Sequence, residues 1–404
     1  AAETVELVRR HLQSGPLTPG TVLVGTGFRD GLWAQAPTAA LLDEFETPVA
    51  LVSGDVHTVW SNAAALRMVG LPATDWWLRE QPAFDLNVRL SDVPQAQLDG
   101  WVLDAARRAA ARGVVGIGDF EFSDATGAWM RRFAGGFRGL RVRAMVYPPH
   151  LDAAIAAGIQ TGQPIEGTGG LLVGGSQKLF TDGSLNTRTA WCDDPYPGLS
   201  GSEAAGLPTY EPEALLEQAR LGTLHGIAPT IHAIGDRATA LALDTFAALG
   251  VGGSIQHAQL VRDADLPRFA ALGVRASVQP EQAMDDRDVA DHHWAGRTRR
   301  SFPYRALLDA GAQLEFGSDA PVAPLDPWVS MAAAVTRSRD GREPWHPEQR
   351  VPVAAALRAS QGGVAALAQG GSADLVVTDA DPLTAELRGM PVFATMVAGE
   401  FTYR

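Results

Sequence analysis

Two residue types are almost missing from this 404-residue chain, which carries one cysteine, Cys192, and one lysine, Lys178. A single cysteine excludes an internal disulfide and a cysteine-based metal cluster, and it points to a reducing, cytoplasmic compartment. No apolar run is long and unbroken enough to suggest a bilayer span. Positive charge is also short. The 33 Lys and Arg stand against 46 Asp and Glu, a formal net charge of -13, which argues against a nucleic-acid or membrane partner. A small-molecule substrate is the expected partner, and homo-oligomerisation is left open. With 46% hydrophobic and 20% charged residues, the composition is that of a soluble enzyme-sized chain with material for one large core or a barrel plus a satellite.

The lysine shortage concerns chemistry as well as charge. Every basic residue other than Lys178 is arginine, and guanidinium stays protonated where an amine can lose its proton and react. Lys178 thus reads as a lysine that arginine cannot replace, with an ordinary salt bridge as the plainer alternative. Its surroundings, LLVGGSQKLFTDGSLNTRT over 171–189, read as a buried strand closed by the turn signal Asp182-Gly183. In a barrel of parallel strands, the C-terminal strand end faces the active site.

Apolar strand-like runs recur at Val22 to Val24, Val49 to Val52, Val114 to Ile117, Leu140 to Val146, Leu171 to Phe180, Ala228 to Ile234, Ser254 to Leu260, Val274 to Val278 and Leu314 to Phe316. Alanine-rich helical stretches lie between most of them. This alternation predicts an α/β protein with a parallel sheet. No G-x-G-x-x-G follows an early strand, and the polar residues gather at successive strand ends, so a (β/α)8 TIM-like barrel is preferred over a doubly wound sheet. The barrel is expected over 1–361, and 362–404 is expected to supply a small β-subdomain. Ser184 to Leu207 reads as a long loop placed where loops cover active sites, and it holds Arg188, a candidate substrate contact.

Of the nine histidines, His232 and His257 end apolar runs. One histidine after a strand is usually a hydrogen-bonded core residue, but two on successive strands come within reach of one metal ion, for which neutral imidazole is a common ligand. Asp319, just past the last apolar run, reads either as a helix N-cap or as a metal ligand and general base. His292 and His293 read as part of a solvated loop. His57 follows a strand and is expected, with Trp60, to line a substrate pocket; a satisfied loop histidine is the alternative. Tryptophans in expected loops, including Trp76, Trp77, Trp191 and Trp294, suggest an apolar or aromatic substrate group.

The stretches KLFTDGSLNTRTA, IHAIGDRA, SIQHAQLV, SVQPEQA, FGSDAPV and ADLVVTDADPL, with DVHTVWSN ahead of them, resemble the amidohydrolase superfamily, in particular the amidohydrolase family 3 branch of N-substituted formamide deformylases. The resemblance implies a metal-dependent hydrolase of carbon–nitrogen bonds other than peptide bonds, acting on an amide, formamide or cyclic amide. It implies that N-carboxylated Lys178 bridges divalent metal, expected to be zinc, one or two ions per chain. His232 and His257 would bind one ion, while Asp319 would bind the other and shuttle protons. Imidazole and carboxylate donors suit zinc.

That family carries a His-x-His on its first barrel strand, and its opening β-strands pair with the closing ones; neither is found here. The expectation is that the chain as given lacks its N-terminal portion and first barrel strand. The alternative is a degenerate relative, a binding protein on a barrel scaffold. A third reading keeps the metal and assigns ester hydrolysis or decarboxylation, since a fold does not fix the substrate.

Overall fold

A computed structural model of the chain describes residues 1–15, 20–90, 93–362 and 367–404. The chain divides into two compact units: Ala1–Pro94 with Gly183–Thr189, and Gln95–Asp182 with Ala190–Arg404.

The first unit is built on a four-stranded sheet, β1 (Leu23–Phe28), β2 (Val49–Ser53), β3 (Thr58–Ser61) and β4 (Trp77–Arg79), in that order. Strands β1 and β2 are parallel, but only four residues separate Ser53 from Thr58, too few for a crossover, so β3 pairs antiparallel to β2. Strand β2 is buried along its whole length. Its alternation splits it between two clusters: Val49 and Leu51 pack with Val5, Val8, Phe28 and Trp60, while Ala50 and Val52 pack with Val59, Leu66 and Leu86. Each fully buried Leu or Val contributes about 1.5–3 kcal/mol, which explains why so short a strand holds its place. The runs at Val22 to Val24 and Val49 to Val52 are therefore not barrel strands. Composition could not separate them, because a strand buried on both faces is apolar throughout in either setting.

The second unit carries seven parallel strands that stand in chain order: β5 (Gly116–Asp119), β6 (Arg141–Val146), β7 (Leu172–Phe180), β8 (Pro229–Ala233), β9 (Gly253–His257), β10 (Val274–Val278) and β11 (Leu314–Phe316). Helices such as Pro212–Leu224, Asp236–Leu249 and Leu266–Ala271 connect successive strands. Sequential parallel order with helical crossovers is the construction of a (β/α) barrel, here with seven strands rather than eight among the described residues. Arg143 on β6 reaches Glu315 on β11 at 2.5 Å, so the sheet curls far enough for side chains near its two ends to meet. The glycines that interrupt the β7 run serve this packing. A Cβ on Gly175 would lie 2.3 Å from the carbonyl oxygen of Ala144 on β6.

The closing segment forms an antiparallel sheet, β12 (Leu375–Thr378), β13 (Val392–Val397) and β14 (Glu400–Tyr403). It falls within the second unit, and residues 363–366, next to the expected division at 361 and 362, lie outside the described set. Val397 joins the cluster of Ala106, Trp129, Phe133 and Leu172, and the Thr395 hydroxyl donates to the Ala110 carbonyl at 2.7 Å.

His292 and His293 end the helix Pro280–His293 instead of lying in a loop, and His293 is buried. Trp60 and Trp294 are fully buried too, so they cannot stand for an aromatic-lined pocket.

Candidate active site

Three of the four expected metal-site residues stand at the C-terminal ends of neighbouring strands. Lys178 on β7 pairs in register with Thr230 on β8, Phe180 with His232, and Ala233 with His257 on β9. The residue opposite His232 is Gln256, so by strand alternation His257 would face the other way. Its backbone prevents this. His257 has φ 75° and Ala258 φ 41°, left-handed values that non-glycine residues adopt at a cost of about 1–3 kcal/mol. The rings of His232 and His257 consequently meet edge to face with centroids 4.5 Å apart.

Each imidazole is oriented by a different neighbour. His257 Nδ1 lies 2.9 Å from Gln279 Oε1, and the Gln279 amide nitrogen donates to the Ser277 carbonyl at 3.4 Å, which makes Oε1 the acceptor. His232 Nε2 lies 3.5 Å from Asp182 Oδ1. Asp182 is itself fixed by the backbone amides of Ile234 at 3.0 Å, and of Gly235 and Trp191 at 2.8 Å each. The Gln279 contact assigns the proton of His257 to Nδ1 and its lone pair to Nε2. Sequence reading missed both orienting groups. Asp182 looked only like a turn residue, although an aspartate directly after a strand, before a glycine, is well placed to accept from the next strand's end.

Lys178 is 4% exposed. Burial lowers its pKa to about 7, with the Asp319 carboxylate pulling the other way. Among the described residues its Nζ forms no salt bridge; it lies over the rings of Phe180 at 4.6 Å and Phe120 at 5.2 Å. An amine held this way titrates near neutral pH instead of staying a fixed cation.

Asp319 follows β11 in a left-handed conformation with φ 54°, and it is exposed. It is not a helix N-cap. That role belongs to Asp326, whose side chain accepts from the Trp328 amide at the start of Pro327–Thr336. Asp319 also lies near enough, with Glu121 and Asp119, to help hold the Tyr147 hydroxyl's pKa well above its usual range, behind burial as the main cause.

The donor chemistry fits a divalent ion: two imidazoles at neighbouring strand ends, beside an amine whose pKa burial lowers to about 7. No three His, Cys, Asp or Glu side chains converge on one point among the described residues.

His57, Trp60 and Arg188 belong to the first unit. His57 Nδ1 meets Glu80 Oε2 at 2.8 Å, and Glu80 Oε1 accepts the hydroxyls of Thr187 and Thr189 at 2.6 Å each. Burial alone would raise the Glu80 pKa, but His57 and the two threonines outweigh it and bring it down to about 2. Trp60 is a core residue of this unit, stacked edge to face with Trp33 and Trp77. Arg188, at φ 60°, offsets part of the rise in the Asp30 pKa, which burial and then Asp55 push up to about 6.

The amidohydrolase family model matches residues 2–403. The chain belongs to the amidohydrolase family. It is 26% identical over 379 residues to the protein LONG AFTER FAR-RED 3 of Arabidopsis thaliana, a match covering 84% of this chain and 64% of that protein. It is also 26% identical over 457 residues to the N-substituted formamide deformylase of Arthrobacter pascens, covering 99% of this chain and 82% of the relative. A crystal structure of an uncharacterized metal-dependent hydrolase from Pyrococcus horikoshii OT3 superposes with a TM-score of 0.77 at 25% identity, over 96% of this chain and 82% of the other.

Proposed function

We propose that this chain carries the catalytic centre of a metal-dependent hydrolase that cleaves the carbon–nitrogen bond of a small amide, formamide or cyclic amide. The observation that carries the reading is Lys178, a buried amine with its pKa lowered to about 7, one strand from His232 and two from His257, whose rings meet beside Asp182 and Gln279. The uncharged amine adds carbon dioxide, forming a nitrogen–carbon bond and releasing one proton, and thereby becomes an anionic oxygen donor. His232, and His257 through Nε2, would hold the ion together with that oxygen. When bound, a divalent metal, zinc on this nitrogen and oxygen donor set, supplies Lewis acidity toward a carbonyl and a water. Asp319 accepts the proton of the attacking water and returns it to the departing nitrogen, so that amide and water become acid and amine. The name of the Arthrobacter pascens relative makes N-substituted formamides the first compounds to try.

Metal analysis of protein purified with bicarbonate, together with a hydrolysis screen of N-substituted formamides, acyl amino acids and lactams, tests the reading. One or two metal equivalents with turnover of a carbon–nitrogen bond are expected. No bound metal and no turnover would leave a binding protein on a barrel scaffold. Turnover of esters alone would keep the centre and replace the bond.

A further inference from the structure

Beside Lys178 and His232 the ends of β5, β6 and β7 present aromatic rings. Phe122 lies 4.7 Å from Tyr147 and 5.9 Å from Phe180, the latter pair nearly parallel at 11°. Phe180 in turn lies 4.9 Å from the His232 ring, and its face and that of Phe120 flank the Lys178 amine. Phe120, Phe122 and Phe180 are all partly exposed, whereas Tyr147 is buried behind them. The turn that carries the two phenylalanines is tied down from within. Asp119 accepts the Glu121 amide at 2.9 Å through Oδ1 and the Trp129 indole at 2.5 Å through Oδ2. Tyr147 spends its hydroxyl on the Phe120 carbonyl at 2.5 Å, so its contribution to the cluster is ring surface.

We infer that Phe120, Phe122 and Phe180 form a specificity wall that selects an amide bearing a flat aromatic arm next to the scissile bond. The inference rests on the hydrolase reading for the identity of that bond, but its physical basis is separate. Ring pairs at centroid separations of 4.5–7 Å in offset or edge-to-face arrangements gain stability beyond the apolar area they bury. The wall already has this geometry, the turn that carries Phe120 and Phe122 is tied down before any ligand arrives, and an added ring would join the series on its partly exposed side. A linear alkyl arm of similar size would bury comparable area without the ring-to-ring gain. Preorganisation matters here because little order remains to be lost on binding.

The test measures binding of N-benzylacetamide, N-methyl-2-phenylacetamide and N-butylacetamide to the full chain, metal-free and metal-loaded, by calorimetry and ligand-observed NMR. At least one ring-bearing amide should bind about five- to tenfold more tightly than the butyl compound. Phe122→Leu should shrink that preference to about twofold or less, while Phe122→Tyr, which keeps the ring, should retain it; thermal melts of both variants check the fold. Equal affinity for ring and alkyl amides, a preference untouched by Phe122→Leu, or binding of none of the three would overturn the wall. Turnover read on the same samples separates the two ideas. A ring preference in binding without hydrolysis of any amide would defeat the hydrolase reading alone, and hydrolysis without ring preference would defeat the wall alone.

Discussion

The two units each bury a cluster of polar side chains, and the clusters are opposites in how their charge is handled. In the first unit Glu80 is met by His57, Thr187 and Thr189, and Asp55 accepts the hydroxyls of Ser53 and Ser184 at 2.5 and 3.0 Å. In the second unit Lys178 is buried against ring faces and its pKa falls to about 7. A charge that its surroundings stabilise is driven away from the titration range where it could react; a charge that they leave poorly solvated is driven into it. The first cluster is therefore read as architecture and the second as chemistry, although both are polar, buried and close to strand ends.

The sharpest break of this contrast is Lys178→Arg. Charge is kept, but guanidinium neither deprotonates nor forms a carbamate, so bound metal measured by mass spectrometry and turnover should both fall to background. Full metal content in the variant would return Lys178 to the status of an ordinary cation. Asp319→Asn comes next, with the fold intact and turnover lower by on the order of a hundred- to ten-thousandfold, the usual contribution of a positioned proton-transfer group. Metal has to be assayed on the same sample. Near-normal turnover with normal metal would remove the proton-shuttle role.

The first unit should answer in stability. Glu80 has a folded pKa of about 2, below its ordinary value of 4.5, so its stabilisation is fully present above about pH 4.5 and is lost as pH falls toward 2. Glu80→Gln should cost on the order of 2 kcal/mol at pH 7 in denaturant melts, and it should flatten that acid limb. An unchanged melt would move this cluster out of the architectural class. Asp30 has the opposite sign. With a folded pKa raised from 3.8 to about 6, it makes stability decline as pH rises from about 4 to 6. Asp30→Asn should remove that slope and add about 1 kcal/mol at pH 7, the smallest effect of the series.

The contrast also explains what could be read in advance. The placement of Lys178, His232 and His257 at neighbouring strand ends was legible because a unique residue type and apolar runs ending in polar groups survive in one dimension, and the motif series gave the family that the match over residues 2–403 shows. The rotation of His257 was not legible. Its left-handed backbone is imposed by the fold, with no glycine to announce it. Trp60 was misplaced for a related reason. Beside a histidine after a strand it resembled a pocket wall, yet its register opposite Leu51 turns it into the core. The aromatic wall escaped notice because Phe120 and Phe122 are separated in sequence from Tyr147 and Phe180 and converge only when β5, β6 and β7 align.

The excursion of Gly183–Thr189 bears on how the gene can be cut. These seven residues belong to the first unit although the chain on either side of them belongs to the second. Gly183 is required there, since a Cβ would lie 2.1 Å from the Thr189 hydroxyl. A fragment ending near Pro94 would take Glu80 and Asp55 with it and leave behind the hydroxyls of Ser184, Thr187 and Thr189 that complete them. Dissection of this protein therefore has to follow a discontinuous boundary, with the 183–189 peptide supplied in trans or grafted by a linker if the first unit is to stand alone.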